Sequence, residues 1–324
     1  MNSLAPITTT TAAAAAATTD LVWRAPVPLQ HSRATAAESS QHDERVRPWL
    51  SVLLVSCHVL RLDMETTFAA ACLLHRYYLL QPDDKNNNKW LIVCVIFVAC
   101  KTQEDHRRLR DFINLAYMIT WQQEELNNEI KSTSNDKETN KTISSDTTTT
   151  SNQILQLTWN KDPPPLDDKY WKDKELIVQA EQTVLRCLAF DVHVSHPHRL
   201  VVLLMQECCV LQQSPNDKDD QSSLNKAQQL QESLVQETWT LLNSCVFCVT
   251  ALQQPALVLT VAALDIVVIQ NNNKNNSKLD DQHAIPGDWW KDTGVTAEAK
   301  QTATKILLEN VQKQATTVGK QVTS

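Results

Sequence analysis

One carboxylate in this chain stands where an ionised group is costly. Glu181 lies four residues after Ile177 and four before Leu185, on the apolar stripe of a segment running from about Trp171 to Leu188. A carboxylate on such a face must be paired, protonated or turned toward a partner's surface. The second residue of this kind is Lys101, which ends the run WLIVCVIFVACK and is followed by Thr102, Gln103 and Glu104. A helix-end lysine can instead snorkel and complement the helix dipole, and the stripe can simply be wet at Glu181. Spacing alone leaves these readings open.

Other clusters carry weaker chemistry. Cys245 and Cys248 form a CxxC, but no second pair supplies four zinc ligands, and an apolar setting favours core packing. The adjacent Cys208 and Cys209 read the same way. His193, His196 and His198 crowd FDVHVSHPH. They could hold a metal, or Ser195 could cap a helix with Pro197 in its first turn. Arg107, Arg108 and Arg110 gather at a helix start, as a solvated basic face or as an anion pocket. No G-x-G-x-x-G, P-loop, H-R-D or D-F-G motif is present, and no hydrolase elbow can form without glycine.

The elements that must position these residues are helices. Of 324 residues only Gly287, Gly294 and Gly319 are glycine, so turns up to position 286 use Asn, Asp and Pro. Residues 1–45, Ala/Thr-rich at the start and lacking a signal-peptide pattern, are expected to be a disordered tail. Helices are expected from about Val46 to Leu60, after an Asp63 cap, and from Trp90 to Lys101. Another follows with Leu109, Phe112, Ile113, Ala116 and Tyr117 at helical spacing. Residues 122–168, rich in Asn, Thr, Lys, Asp and Glu and ending near three prolines, read as a flexible insertion. The pattern then repeats: a Val/Leu-rich helix from His198, a long helix ending near Leu252, an all-apolar helix opened by Pro255, and an amphipathic helix over Ala297–Gln312. Helices apolar all round must be enclosed by others, so two tandem bundles follow.

The segments FVACKTQEDHRRLRDFINLAY (97–117) and YWKDKELIVQAEQTVLRCLAFDVHVSHPHRL (170–200) carry a family likeness. The chain resembles the cyclins of the transcription-type branch; the IPGDWW segment at 285 makes it most similar to cyclin-Q, the partner of cyclin-dependent kinase ten. The resemblance covers about residues 46–313. It implies an all-α fold of two tandem five-helix cyclin-fold bundles, with a cyclin box over 46–190 and a second fold over 191–318. It further implies a non-enzymatic regulatory subunit without cofactors, forming a heterodimer with a cyclin-dependent kinase in the nucleus, with the cytoplasm as a further location. Lys101 and Glu181 match the cyclin-box lysine and glutamate that approach each other beside the kinase's αC helix. Val98, Thr102, Glu104, Leu185, Phe190 and Val192 match neighbouring contacts. Thr102 stands where many cyclins have a larger apolar residue, Gln103 replaces an acid, and no M-R-A-I-L segment for substrate docking is present.

Alternatives of other classes are a tandem cyclin-fold transcription factor, a peptide-binding scaffold and an enzyme on a helical bundle. A net charge of −7, from 30 Lys and Arg against 37 Asp and Glu, disfavours direct nucleic-acid binding, and residues 1–45 contain no cysteine for a zinc ribbon. The apolar runs fall short of the ~20 residues that cross a bilayer. Nine cysteines, an odd number, suit reduced thiols.

Overall fold

The computed structural model describes residues 36–81, 89–120, 164–210, 221–275 and 289–322. Residues 122–163 of the expected 122–168 insertion lie outside them. The described residues are helical and connecting segments, with no strand among them.

The first bundle comprises α1 (Ala36–Val59), α2 (Met64–Leu80), α3 (Lys89–Thr102), α4 (residues 109–120) and α5 (Asp168–Cys187). α3 is buried on every side except at Phe97 and its two ends, and it packs against α1, α2 and α5. That placement follows from its composition, because a helix without a polar face finds no stable position at a surface. α6 (Pro197–Val210), α7 (Gln221–Ser244), a 3₁₀ turn (Cys245–Phe247), α8 (Val249–Leu252), α9 (Ala256–Asn275), a 3₁₀ turn (Trp289–Thr293) and α10 (Ala297–Val322) follow. Here α9 takes the central position, against α6, α7 and α10. Two separate apolar cores result, one built mainly from residues 46–194 and one from 201–307.

Several boundaries differ from the sequence expectation. α1 begins at Ala36, so residues 36–45 are helical rather than tail. Contacts at a distance hold this segment, through His42 against His75 and Asp43 against the backbone of Val249. α5 starts at Asp168, inside the expected insertion, with Asp167 accepting from the Tyr170 backbone N–H. The long second-bundle helix breaks at Ser244. The CxxC therefore straddles a 3₁₀ turn, with Cys245 buried at its start and Cys248 half-buried just past its end. Asp63 does precede α2, but its side chain makes no cap bond; instead Asp105 accepts from the Asp63 backbone N–H at 3.2 Å.

Candidate functional site

Glycine scarcity shapes the helix ends. Four non-glycine residues adopt positive φ among the described residues: Arg61, Glu104, Ala189 and Phe190. Left-handed backbone costs an L-residue about 1–2 kcal/mol. Glu104 (φ 59°) closes α3, with the Asp105 N–H returning to the Cys100 carbonyl at 3.0 Å. Such a six-to-one bond normally uses glycine at the left-handed position. Ala189 and Phe190 (φ 50° and 61°) close α5, the Phe190 N–H returning to the Leu185 carbonyl at 2.8 Å. Three of the four positions therefore end the two helices that carry Lys101 and Glu181.

Between those helices Lys101 Nζ donates to Glu181 Oε1 at 2.7 Å, with the side chains 52% and 16% exposed. The same ammonium lies 4.1 Å from the centre of the Phe97 ring. Glu181 interrupts an apolar stripe because a cation from the neighbouring helix meets it there. The lysine remains half in water, so a second surface can still reach the pair. Thr102 is half-buried and donates to its own helix at Ala99 O, 3.0 Å. Leu185 and Val192 are half-buried against the first core. Phe190 is 68% exposed, an aromatic ring held outward by strained backbone. Glu104 is exposed, its carbonyl accepting from His106. Val98 does not join this surface: it is 2% exposed and part of the first core, because α3 is enclosed on that side.

The arginine cluster divides. Arg107 pairs with Asp105 at 2.8 Å and donates to the Leu60 and Arg61 carbonyls, tying the loop after α3 to the end of α1. Arg108 and Arg110 are exposed. Among the described residues no metal cluster includes His193, His196 or His198. His198 hydrogen-bonds Asn243 at 2.9 Å. The described cysteines are free, and burial pushes Cys57, Cys72, Cys94 and Cys100 up to about 12, so these thiols are poor nucleophiles.

Sequence reading missed the group His42, Asp43 and His75, whose ligand atoms lie within 4.8 Å of one another. A guanidinium only donates, so Arg45 Nη2 fixes His42 Nδ1 as an acceptor at 3.2 Å. His42 Nε2 then donates to His75 Nδ1 at 3.1 Å, and His75 Nε2 to the Val246 carbonyl at 2.8 Å. One set of tautomers satisfies the whole chain of bonds. A metal on His42 Nε2 would place a proton on Nδ1, facing Arg45, so the group fits a structural relay better than a cation site. Burial, largest of the causes, lowers His42 to about 3 and His75 to about 4 and raises Asp43 to about 6.

The family profile described as "Cyclin, N-terminal domain" matches residues 27–193, just over half of the chain. The chain belongs to the cyclin family. Related proteins include cyclin-L1 of Xenopus laevis, 24% identical over 189 residues, covering 58% of this chain and 27% of the relative. Human cyclin-L1 and human cyclin-L2 are each 27% identical over 154 residues, covering 46% of this cyclin and 23% of theirs. The chain thus spans about a quarter of the length of these relatives. They support the family and not the narrower likeness to cyclin-Q. Among the described residues no helix of this cyclin is long and apolar enough to cross a membrane.

Proposed function

We propose that this cyclin is the regulatory and activating subunit of a cyclin-dependent serine/threonine kinase of the transcription-associated type, acting in the nucleus as a heterodimer. The observation that carries the reading is the Lys101–Glu181 pair, bridging α3 and α5 at a half-exposed position. Phe190 and Glu104 are exposed, with left-handed backbone, just past the ends of the same two helices. Such strain persists where the surroundings over-determine it, often at binding sites. Activation would work by population shift. A free kinase of this class holds αC displaced, with its Lys–Glu ion pair unmade. A rigid surface that binds only the αC-in form reverses a 99:1 bias with ~5.5 kcal/mol of differential binding. An apolar contact at Phe190 and charge-assisted bonds from Lys101 and Glu181 to kinase backbone supply that kind of energy. The partner suggested by the cyclin-Q likeness is a kinase similar to cyclin-dependent kinase ten; the cyclin-L relatives make other transcription-associated kinases equally worth measuring.

The test is a double-mutant cycle on binding and activation, run against a panel of purified cyclin-dependent kinases. Removing one partner of a desolvated interfacial charge pair costs about 2–5 kcal/mol. Lys101→Ala and Glu181→Ala should each weaken binding by roughly 30-fold or more. The double variant should lose clearly less than the sum, since the two act as a unit. Single variants that bind and activate like the parent chain would remove this surface from the interface. Phosphotransfer by the isolated chain, surviving repurification, would overturn the regulatory reading itself.

A further inference from the structure

The seam between the two bundles holds a second polar centre, remote in sequence from the Lys101–Glu181 pair. A cavity of about 100 Å³ lies there. Phe68 and Arg76 of α2, Ser195 and Pro197 at the start of α6, and Gln253 and Pro255 before α9 are among its walls. Arg76 is only 4% exposed, yet no carboxylate pairs with it among the described residues. Its Nη1 donates to the Asp191 carbonyl at a long 3.3 Å, and its Nε has no partner. The amide nitrogen of Gln253 is also buried and unpartnered. Burial is the main influence on the guanidinium and works against its charge. Glu65, an acid that acts on nearby His196, is already engaged by Arg199.

Two helices also begin at this cavity, the 14-residue α6 at Pro197 and the 20-residue α9 at Ala256. The first helical bond of α9 runs from the Leu259 N–H to the Pro255 carbonyl, which leaves the N–H groups of its opening turn without partners inside the helix. Helix starts present those donors and the positive end of the macrodipole to an anion. The cavity therefore combines a buried cation that Asp191 favours through space without a direct ion pair, an orphaned amide donor and two helix starts. A water molecule would answer the hydrogen bonds without adding countercharge to the distant contribution of Asp191.

We propose that this inter-bundle pocket binds a phosphoryl group, with Arg76 as its countercharge and Gln253 and the start of α9 as further donors. A phosphoryl group offers three strong acceptor oxygens in a tetrahedral arrangement, which suits donors converging from α2, the Gln253 side chain and α9. Its source is either free inorganic phosphate or a phosphorylated side chain. The full chain is titrated calorimetrically with inorganic phosphate, with N-acetyl-O-phosphoserine amide and with acetate, at fixed ionic strength. The phosphate compounds should saturate a single site and acetate should not. Arg76→Gln should weaken binding by at least about tenfold. Gln253→Glu keeps Arg76 and places a carboxylate in the pocket; it should abolish phosphate binding and raise the thermal midpoint of the free chain, so the test stands even if Arg76→Gln fails to fold. Tighter binding of the phosphoserine amide would identify a modified side chain as the source, and tighter binding of inorganic phosphate the free ion. Absence of saturation by either phosphate compound, or undiminished binding in Gln253→Glu, would overturn the proposal.

Discussion

Each bundle ties its central helix to its last helix with an ion pair, but polarity and exposure are reversed. In the first, the central helix α3 supplies the cation Lys101 and α5 the acid Glu181. In the second, the central helix α9 supplies the acid Asp265 and α10 the cation Lys300, again at 2.7 Å. Lys101 is half in water, whereas Lys300 and Asp265 are only 15% and 8% exposed. Lys300 is also covered by the Trp290 ring, 4.3 Å from its Nζ. The second pair is spent on its own bundle. The first keeps one partner accessible, as the proposed role of docking point rather than strut requires.

Acid should disturb this arrangement most, and in the first bundle. His42 and His75 are held neutral by burial, at about 3 and about 4 against an unfolded value of 6.5. As pH falls from 6.5 to 4 the unfolded chain takes up protons that the folded chain refuses, so stability falls. Asp43, raised to about 6 from 3.8, works the other way and returns part of that loss between those two values. His196, lowered to about 4 chiefly by burial, adds to the loss. Urea midpoints between pH 7.5 and 4.5 should drop steadily, and His75→Gln should flatten the slope. An unchanged slope in that variant would remove the histidine relay as the cause.

The next largest effect separates strut from docking point. Asp265→Ala strands a buried ammonium and should cost about 3–5 kcal/mol in urea unfolding. Kinase binding, measured well below the melting temperature, should stay at the parent value. Pairing Asp265→Leu with Lys300→Met should restore most of the stability, because well-packed apolar residues replace a buried ion pair at little cost. Loss of kinase binding in folded Asp265→Ala would end the distinction. Phe190→Gly should move two readouts in opposite directions. It relieves left-handed backbone, stabilising the free chain by about 1 kcal/mol, and weakens kinase binding by removing an exposed aromatic contact. The smallest effect should be on the free chain carrying Lys101→Ala, since exposed pairs contribute only about 0–1 kcal/mol. A larger loss would make the first pair a strut as well.

The all-α class was legible because a chain this poor in glycine has few ways to turn, and because two runs apolar on all sides demand enclosing helices. Glu181 was legible as an offence against its own stripe, and Lys101 as its match through the family likeness. Val98 was not, since helical spacing puts it beside Lys101 while only tertiary packing decides that it turns inward. His42 and Asp43 lie in SSQHDER, a polar stretch without apolar periodicity; their burial is conferred by partners 33 and 206 residues away. Asp265 stands within the all-apolar run opened by Pro255, so its burial was open to the same reasoning as Glu181, whereas Lys300 reads locally as an ordinary helix-surface charge. Arg76 adjoins an apolar run, and nothing near it in sequence signals that its Nε would lack a partner.

The break after Ser244 has a consequence for how the chain can be divided. Cys245 belongs to the second core, while Val246, next in sequence, is 5% exposed within the first and offers the carbonyl that receives His75. Phe247 and Leu252 also pack against the first core. A fragment ending at residue 193 would carry the whole matched family segment and still lack this plug, leaving an apolar vacancy and an unanswered imidazole donor. Family boundary and autonomous folding unit therefore do not coincide. Calorimetry of the intact chain should give one endotherm rather than two, and a protease that nicks the chain between the bundles should release no stable N-terminal half.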